Sequence, residues 1–75
     1  MRHLRSARHR RMVSAIKEAR EAAGLSQRAL ADKLERSGSF IWKLETHEHR
    51  VDVLEFVEIA EAVGIDPTEL LKRIL

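Results

Sequence analysis

The side chains that could do chemistry are few: four histidines, a crowd of basic residues near the start, and no cysteine. His47 and His49 flank Glu48, a two-ligand pattern in a loop, while His3 and His9 lie far away in sequence. A stable zinc site takes three or four protein ligands, so no metal is expected. No Ser/His/Asp, Cys/His or paired-carboxylate arrangement can be assembled. Glycine, at three residues, is too sparse for a phosphate-cradling loop. Neither an enzyme nor a cofactor is therefore expected.

The basic residues are distributed unevenly. Arg2, Arg5, Arg8, Arg10, Arg11 and Lys17 fall within residues 1–17, which contain no acid, whereas acids outnumber bases in the remainder. A basic arm, placed at residues 1–11, on a mildly acidic body points to a polyanionic partner at one place on the surface. The bland alternative is a solubilising tail. Membrane-surface binding is disfavoured, because the arm lacks the aromatic and leucine face of interfacial helices.

The elements that must position these residues are read from apolar spacing and caps. Seventy-five residues, 44% of them hydrophobic, allow one domain, residues 12–75, with a modest core. The longest apolar runs fall far short of the roughly 20 residues of a membrane span. There is no apolar segment of a secretory signal. A cytoplasmic, nucleoid-associated protein is expected.

Val13, Ile16, Ala19 and Ala23 form an apolar stripe that Gly24 closes. Ser26 caps a second helix that turns Ala29, Leu30 and Leu34 inward. Ser37 or Ser39 caps a third, with Ile41 and Leu44 on its buried side. Asp52 and Glu55 have capping-box spacing and open a fourth, with Val53, Phe56, Val57 and Ala60 as its apolar face. Gly64 ends it. Asp66-Pro67-Thr68-Glu69 starts a fifth. No run alternates with period two, so the fold class is all-α, a compact bundle of about five short helices.

Three stretches carry a resemblance: Gly24-Leu25-Ser26-Gln27-Arg28-Ala29-Leu30-Ala31-Asp32-Lys33-Leu34, Ser39-Phe40-Ile41-Trp42-Lys43-Leu44-Glu45, and Arg50 through Asp66. Together they resemble the Cro/CI-type (lambda-repressor-like, XRE) helix-turn-helix family over roughly residues 12–75. The physical logic agrees. Two helices crossing closely need a small residue at the contact, which Ala31 supplies, and apolar anchors facing back, which Ile41 and Leu44 supply. Gly38, Ser39, Trp42, Lys43 and Thr46 then form one outward stripe on the third helix. In such a motif that stripe enters the major groove, its N-terminal part nearest the base edges.

The resemblance implies a sequence-specific, repressor-like regulator of double-stranded DNA, with a recognition helix at about residues 37–46. Gln27 takes the position near a phosphate at the start of the second helix. Arg28 and Ser37 belong to the same contact set. Gly38, Ser39 and Lys43 occupy base-edge positions, Lys43 suited to guanine and Ser39 to either base type. Trp42 stands where the family more often has a small polar residue. It implies a contact with DNA, a partner or a neighbouring helix. Arg50 and the histidine loop flank the DNA backbone, where His47 and His49 add charge at low pH, and Arg8, Arg10 and Arg11 reach phosphates from the arm. Arg20 and Glu45 match positions of a partly buried ion pair. Glu35 stands where the family usually has glycine, which predicts a slightly strained turn.

One recognition helix reads only about four or five base pairs, so a homodimer on a palindrome is expected. Its surface is placed on the last helix: Ile65, Leu70, Leu71, Ile74 and Leu75. The alternative is a protein-interaction module, such as an antitoxin or a co-regulator's partner. A long tail that wraps a toxin would favour it, and the sequence ends at Leu75. RNA binding would want stacking aromatics, yet only Phe40, Trp42 and Phe56 are present.

Overall fold

Ser6 opens the chain's first helix by accepting a hydrogen bond from the His9 amide at 3.1 Å. From there the computed structural model, which describes residues 6–75, runs through five helices and no strand among the described residues. They are α1 (Ala7–Ala22), α2 (Gln27–Lys33), α3 (Phe40–Glu45), α4 (Val53–Val63) and α5 (Pro67–Lys72). The all-α expectation and the number of helices hold.

Most helix ends follow from the capping chemistry. Ser26 accepts from the Ala29 amide at 3.0 Å and starts α2. Asp52 and Glu55 complete a reciprocal capping box at the start of α4. Asp66 accepts from the Thr68 amide and hydroxyl, and Pro67 supplies the first turn of α5. Gly24 and Gly64 take left-handed conformations after α1 and α4, at φ 73° and 80°. The third helix is the exception. Ser39 is its N-cap, but with ψ near 0° the hydroxyl makes no capping bond, and neither serine considered for that task performs it.

Helix α1 begins before the apolar stripe does. Residues 7–11 are helical, so Arg8, Arg10 and Arg11 of the basic arm project from a helix. Apolar spacing does not show this start, because residues 7–11 hold a single apolar residue, Ala7, and contact with the hydrophobic core begins at Met12 and Val13. The expectations for Arg2, Arg5 and His3 lie outside the described residues.

The core joins Val13, Ile16 and Ala19 of α1 with Leu30 and Ala31 of α2, and Phe40, Ile41 and Leu44 of α3. Ile59 and Ala60 of α4 and Leu70 and Ile74 at the C-terminal end complete it. Helix α1 touches α3, α4 and α5, while α2 packs on α3 and α4. Ala31 is fully buried where α2 meets α3, as close crossing requires.

Two inward assignments need correction. Ala23 is exposed beyond the end of α1. The buried face of α4 is centred on Ile59 and Ala60, and Val53 is 77% exposed. The apolar pattern of α4 is wide enough to fit two rotations, and packing against α1 and α2 chooses one. In the C-terminal turns, Leu70 and Ile74 are buried while Leu71 and Leu75 are exposed. Residues four apart share a face, so only one pair of these four can point inward.

Candidate nucleic-acid interface

Helices α2 and α3 are joined by a turn that passes through Glu35 at φ 57°. The left-handed residue that the sequence indicated is present. A non-glycine side chain there costs about 1 kcal/mol. The amides of Glu35 and Arg36 bond back to the Asp32 and Ala31 carbonyls, which closes the end of α2. His47, just past α3, is a second left-handed non-glycine residue, at φ 66°. Composition gave no signal for it.

A buried ion pair fixes α3 to the scaffold. Arg20 Nε donates to Glu45 Oε2 at 2.7 Å and Nη2 donates to Oε1 at 3.1 Å, while Nη1 reaches the Leu25 carbonyl. The hydrogen bond to Glu45 raises the guanidinium above its ordinary value, against the opposing effect of burial. Gln27 Nε2 also donates to Glu45 Oε1, at 2.8 Å. Gln27 therefore spends one amide hydrogen inside the protein and binds α2 to α3, a role absent from its phosphate assignment. The spacing could have suggested it, because Gln27 and Arg20 flank the same helix junction.

A second cluster, invisible in the sequence, holds the other side of α3. Glu55 accepts from Arg36 at 3.0 Å and meets His49 Nε2 at 3.0 and 3.2 Å. Burial alone would raise the Glu55 carboxyl. Hydrogen bonds with His49, Arg36 and the Asp52 amide outweigh it and hold the carboxyl below the ordinary range. The Arg36 guanidinium lies 3.8 Å from the Phe40 ring centroid, and His49 meets the same ring edge-on. The turn before α3, its first residue and the loop after it are thus bound together.

Between these clusters the outer face of α3 is left free. Ser37, Gly38, Ser39, Trp42 and Lys43 are all exposed, with Trp42 at 47%. Arg28 is exposed beside them on α2, and Arg50 is exposed in the following loop. The Thr46 hydroxyl is committed elsewhere: it donates to the Trp42 carbonyl at 2.9 Å and lies 3.3 Å from the Lys43 carbonyl and from Glu48. Its one donor hydrogen is thus spent on the end of its own helix.

The histidine loop reaches back to α1. His9 and His47 have ring centroids 5.5 Å apart, and His9 Nε2 and His47 Nδ1 are buried with no hydrogen-bond partner among the described residues. Burial first, then the positive charge of His47 and Arg50, pushes the His9 imidazole below its usual value. Of the arginines near the start of α1, Arg8 and Arg10 are exposed. Arg11 donates to the Ile74 carbonyl at 3.0 Å, so it ties the C-terminal end to α1. No group of three metal-ligating side chains occurs among the described residues, and no described helix is long and apolar enough to cross a membrane.

Two short helices crossed about a small residue, the second clamped at both ends and bare outward, define a helix-turn-helix domain. The chain belongs to the helix-turn-helix domain family, whose match covers residues 2–72, and specifically to its XRE type. Among solved structures it is similar to an XRE-family like protein from Pseudomonas syringae pv. tomato str. DC3000. The two are 41% identical, with a TM-score of 0.85 over 91% of this chain and 83% of the other. No functionally curated protein matches the sequence significantly. The XRE-type domain is a DNA-binding regulator fold.

Proposed function

We propose that this protein is a sequence-specific, repressor-like regulator that sets α3 in the major groove of a palindromic operator and binds as a homodimer. The observation that carries the reading is the contrast between the two faces of α3. The inner face is buried and clamped by Glu45, while the outer face offers an unpaired lysine, a serine hydroxyl and an exposed tryptophan. Among the described residues no side chain pairs with the side chains of Ser39, Trp42 or Lys43, and a groove about 12 Å wide admits an α-helix. Lys43 and Ser39 take the base-reading roles. Arg50, Arg8 and Arg10 supply positive charge at the flanks, and the start of α2 at Gln27 approaches a phosphate.

The dimer surface in this reading is built from Leu71 and Leu75 with Ile65 at its margin; Leu70 and Ile74 are spent on the core. Leu71 lines an apolar groove of about 400 Å³ together with Met12, Val53, Phe56 and Val57. The same groove favours a second reading, in which a protein partner such as a toxin or co-regulator docks there.

Selection of bound sequences from random duplex DNA tests the function. An enriched palindrome supports regulator and dimer together. No enrichment, with a stable complex to another protein, would replace the first reading by the second. The regulator works in the cytoplasm, on the nucleoid, without cofactor or membrane.

A further inference from the structure

The N-terminal end of a recognition helix comes closest to the base edges, yet position 38, at that end, has no side chain. The backbone does not demand glycine there. Gly38 is not among the residues with positive φ, unlike Gly24 and Gly64. What lies beside the glycine is the guanidinium of Arg28. A Cβ built on Gly38 would lie 3.6 Å from Arg28 Cζ and 3.8 Å from its Nε and Nη1. The guanidinium has crossed from the second position of α2 to rest over the entrance of α3.

Its surroundings leave it free to bind. Arg28 is exposed, and among the described residues no carboxylate lies within salt-bridge distance of it. The other donors on the stripe do not duplicate it. Ser39 is short and serves any base, the Thr46 hydroxyl is bonded to its own helix, and Lys43 is more than one turn farther along α3.

We propose that Arg28 is a specificity-determining residue: its guanidinium, lying where a side chain at position 38 would lie, reads a guanine through O6 and N7 near the N-terminus of α3. The inference rests on the DNA-binding reading above. A planar fork of two parallel N–H donors matches the two major-groove acceptors of guanine. A guanidinium on a backbone phosphate is the competing assignment. The position over the groove-facing end of α3, not at its flank, favours the base.

Sequence selection with the full chain and three variants decides it, with circular dichroism confirming that each variant is helical. The wild type should enrich a motif with one G·C pair per half-site that Arg28→Ala no longer prefers. That substitution should lower affinity for the best site roughly 5- to 150-fold, the equivalent of one bidentate contact, with a much smaller change on random duplex. Gly38→Ala adds only an ordinary contact and should keep the wild-type motif. Gly38→Gln claims the space of the guanidinium and should change preference at that same base pair. If Arg28→Ala weakens best and random duplexes equally and leaves the motif intact, Arg28 contacts phosphate and the proposal is overturned. If the wild type itself enriches no motif, the failure lies in the DNA-binding reading and takes this one with it.

Discussion

Arg20 and Glu45, 25 residues apart in sequence, meet in a two-pronged ion pair with side chains only 9% and 5% exposed. Every strong donor aimed at the carboxylate comes from a different element: Arg20 from α1 and Gln27 from α2, with Glu45 itself on α3. Glu45→Gln removes the charge and leaves the buried guanidinium with only the exposed Glu21 carboxylate, 3.9 Å away, as counter-ion. Breaking such a pair costs about 3–5 kcal/mol. Urea denaturation should show that loss, whereas Lys72→Gln, which breaks an exposed pair with Glu69, should scarcely move the midpoint. A Glu45→Gln midpoint equal to wild type would mean the carboxylate does not organise the junction.

Glu35 suggests a change in the opposite direction. Its φ of 57° places a β-carbon where only glycine is at ease. Glu35→Gly should raise stability by up to about 0.5 kcal/mol once the greater freedom of the unfolded glycine is subtracted. The same denaturation experiment reads it, and a destabilised variant would show that the turn is not strained.

The left-handed turn at Glu35, the caps of α2, α4 and α5 and the α1–α3 ion pair were legible in the sequence, because each depends on a local signature or on a family position. Residues such as Asp52, Glu55 and Asp66 act within three positions of themselves, which is why the starts of α2, α4 and α5 could be read. What was not legible depends on rotation and on long-range approach. Helix α4 could bury Val53 or Ile59, and only packing against α1 and α2 excludes the former. The Glu55 cluster draws Arg36 and His49 from opposite sides of α3, and no spacing rule relates them. Arg11 looked like one more free cation, yet its side chain bonds the Ile74 carbonyl 63 residues away.

The His9–His47 contact makes stability depend on pH in a definite direction. The folded state holds His9 below the ordinary histidine value of about 6.5, so in that range the unfolded chain binds more protons. Stability is complete above the ordinary value and is lost as pH falls from there through the lowered folded value. Glu55 acts in the same sense in more acid solution, where protonation removes its bonds with Arg36 and His49. Thermal melts from pH 8 to pH 5 should show a falling midpoint. His9→Gln should flatten the upper part of that fall, and an unchanged profile would remove His9 from the account.

Arg8 and Arg10 differ from Arg11 in what they can give to DNA. All three are exposed on α1, but Arg11 alone among them holds the Ile74 carbonyl. Arg8→Gln with Arg10→Gln should make the slope of log K against log salt shallower by about one to two per subunit, with the preferred sequence unaltered. Arg11→Gln should instead appear in stability, at about 1–2 kcal/mol for a lost charge-assisted bond. A salt slope indifferent to Arg8 and Arg10 would show that the start of α1 stays clear of the backbone.

Lys43 and Arg50 separate base reading from positioning. Lys43 lies on the open stripe of α3 beside Trp42, and Arg50 sits in the loop that leaves it. A lysine on guanine distinguishes one duplex from another, while an arginine on phosphate does not. Lys43→Ala should therefore cost about 1–3 kcal/mol on the selected operator and far less on unrelated duplex, which compresses the ratio between them. Arg50→Ala should weaken both by similar factors and leave the ratio standing. Titration of the two variants against both duplexes at one salt concentration gives all four numbers. Equal losses on both duplexes for Lys43→Ala would place the lysine on the backbone, and discrimination would then fall to Ser39, Trp42 and the guanidinium of Arg28.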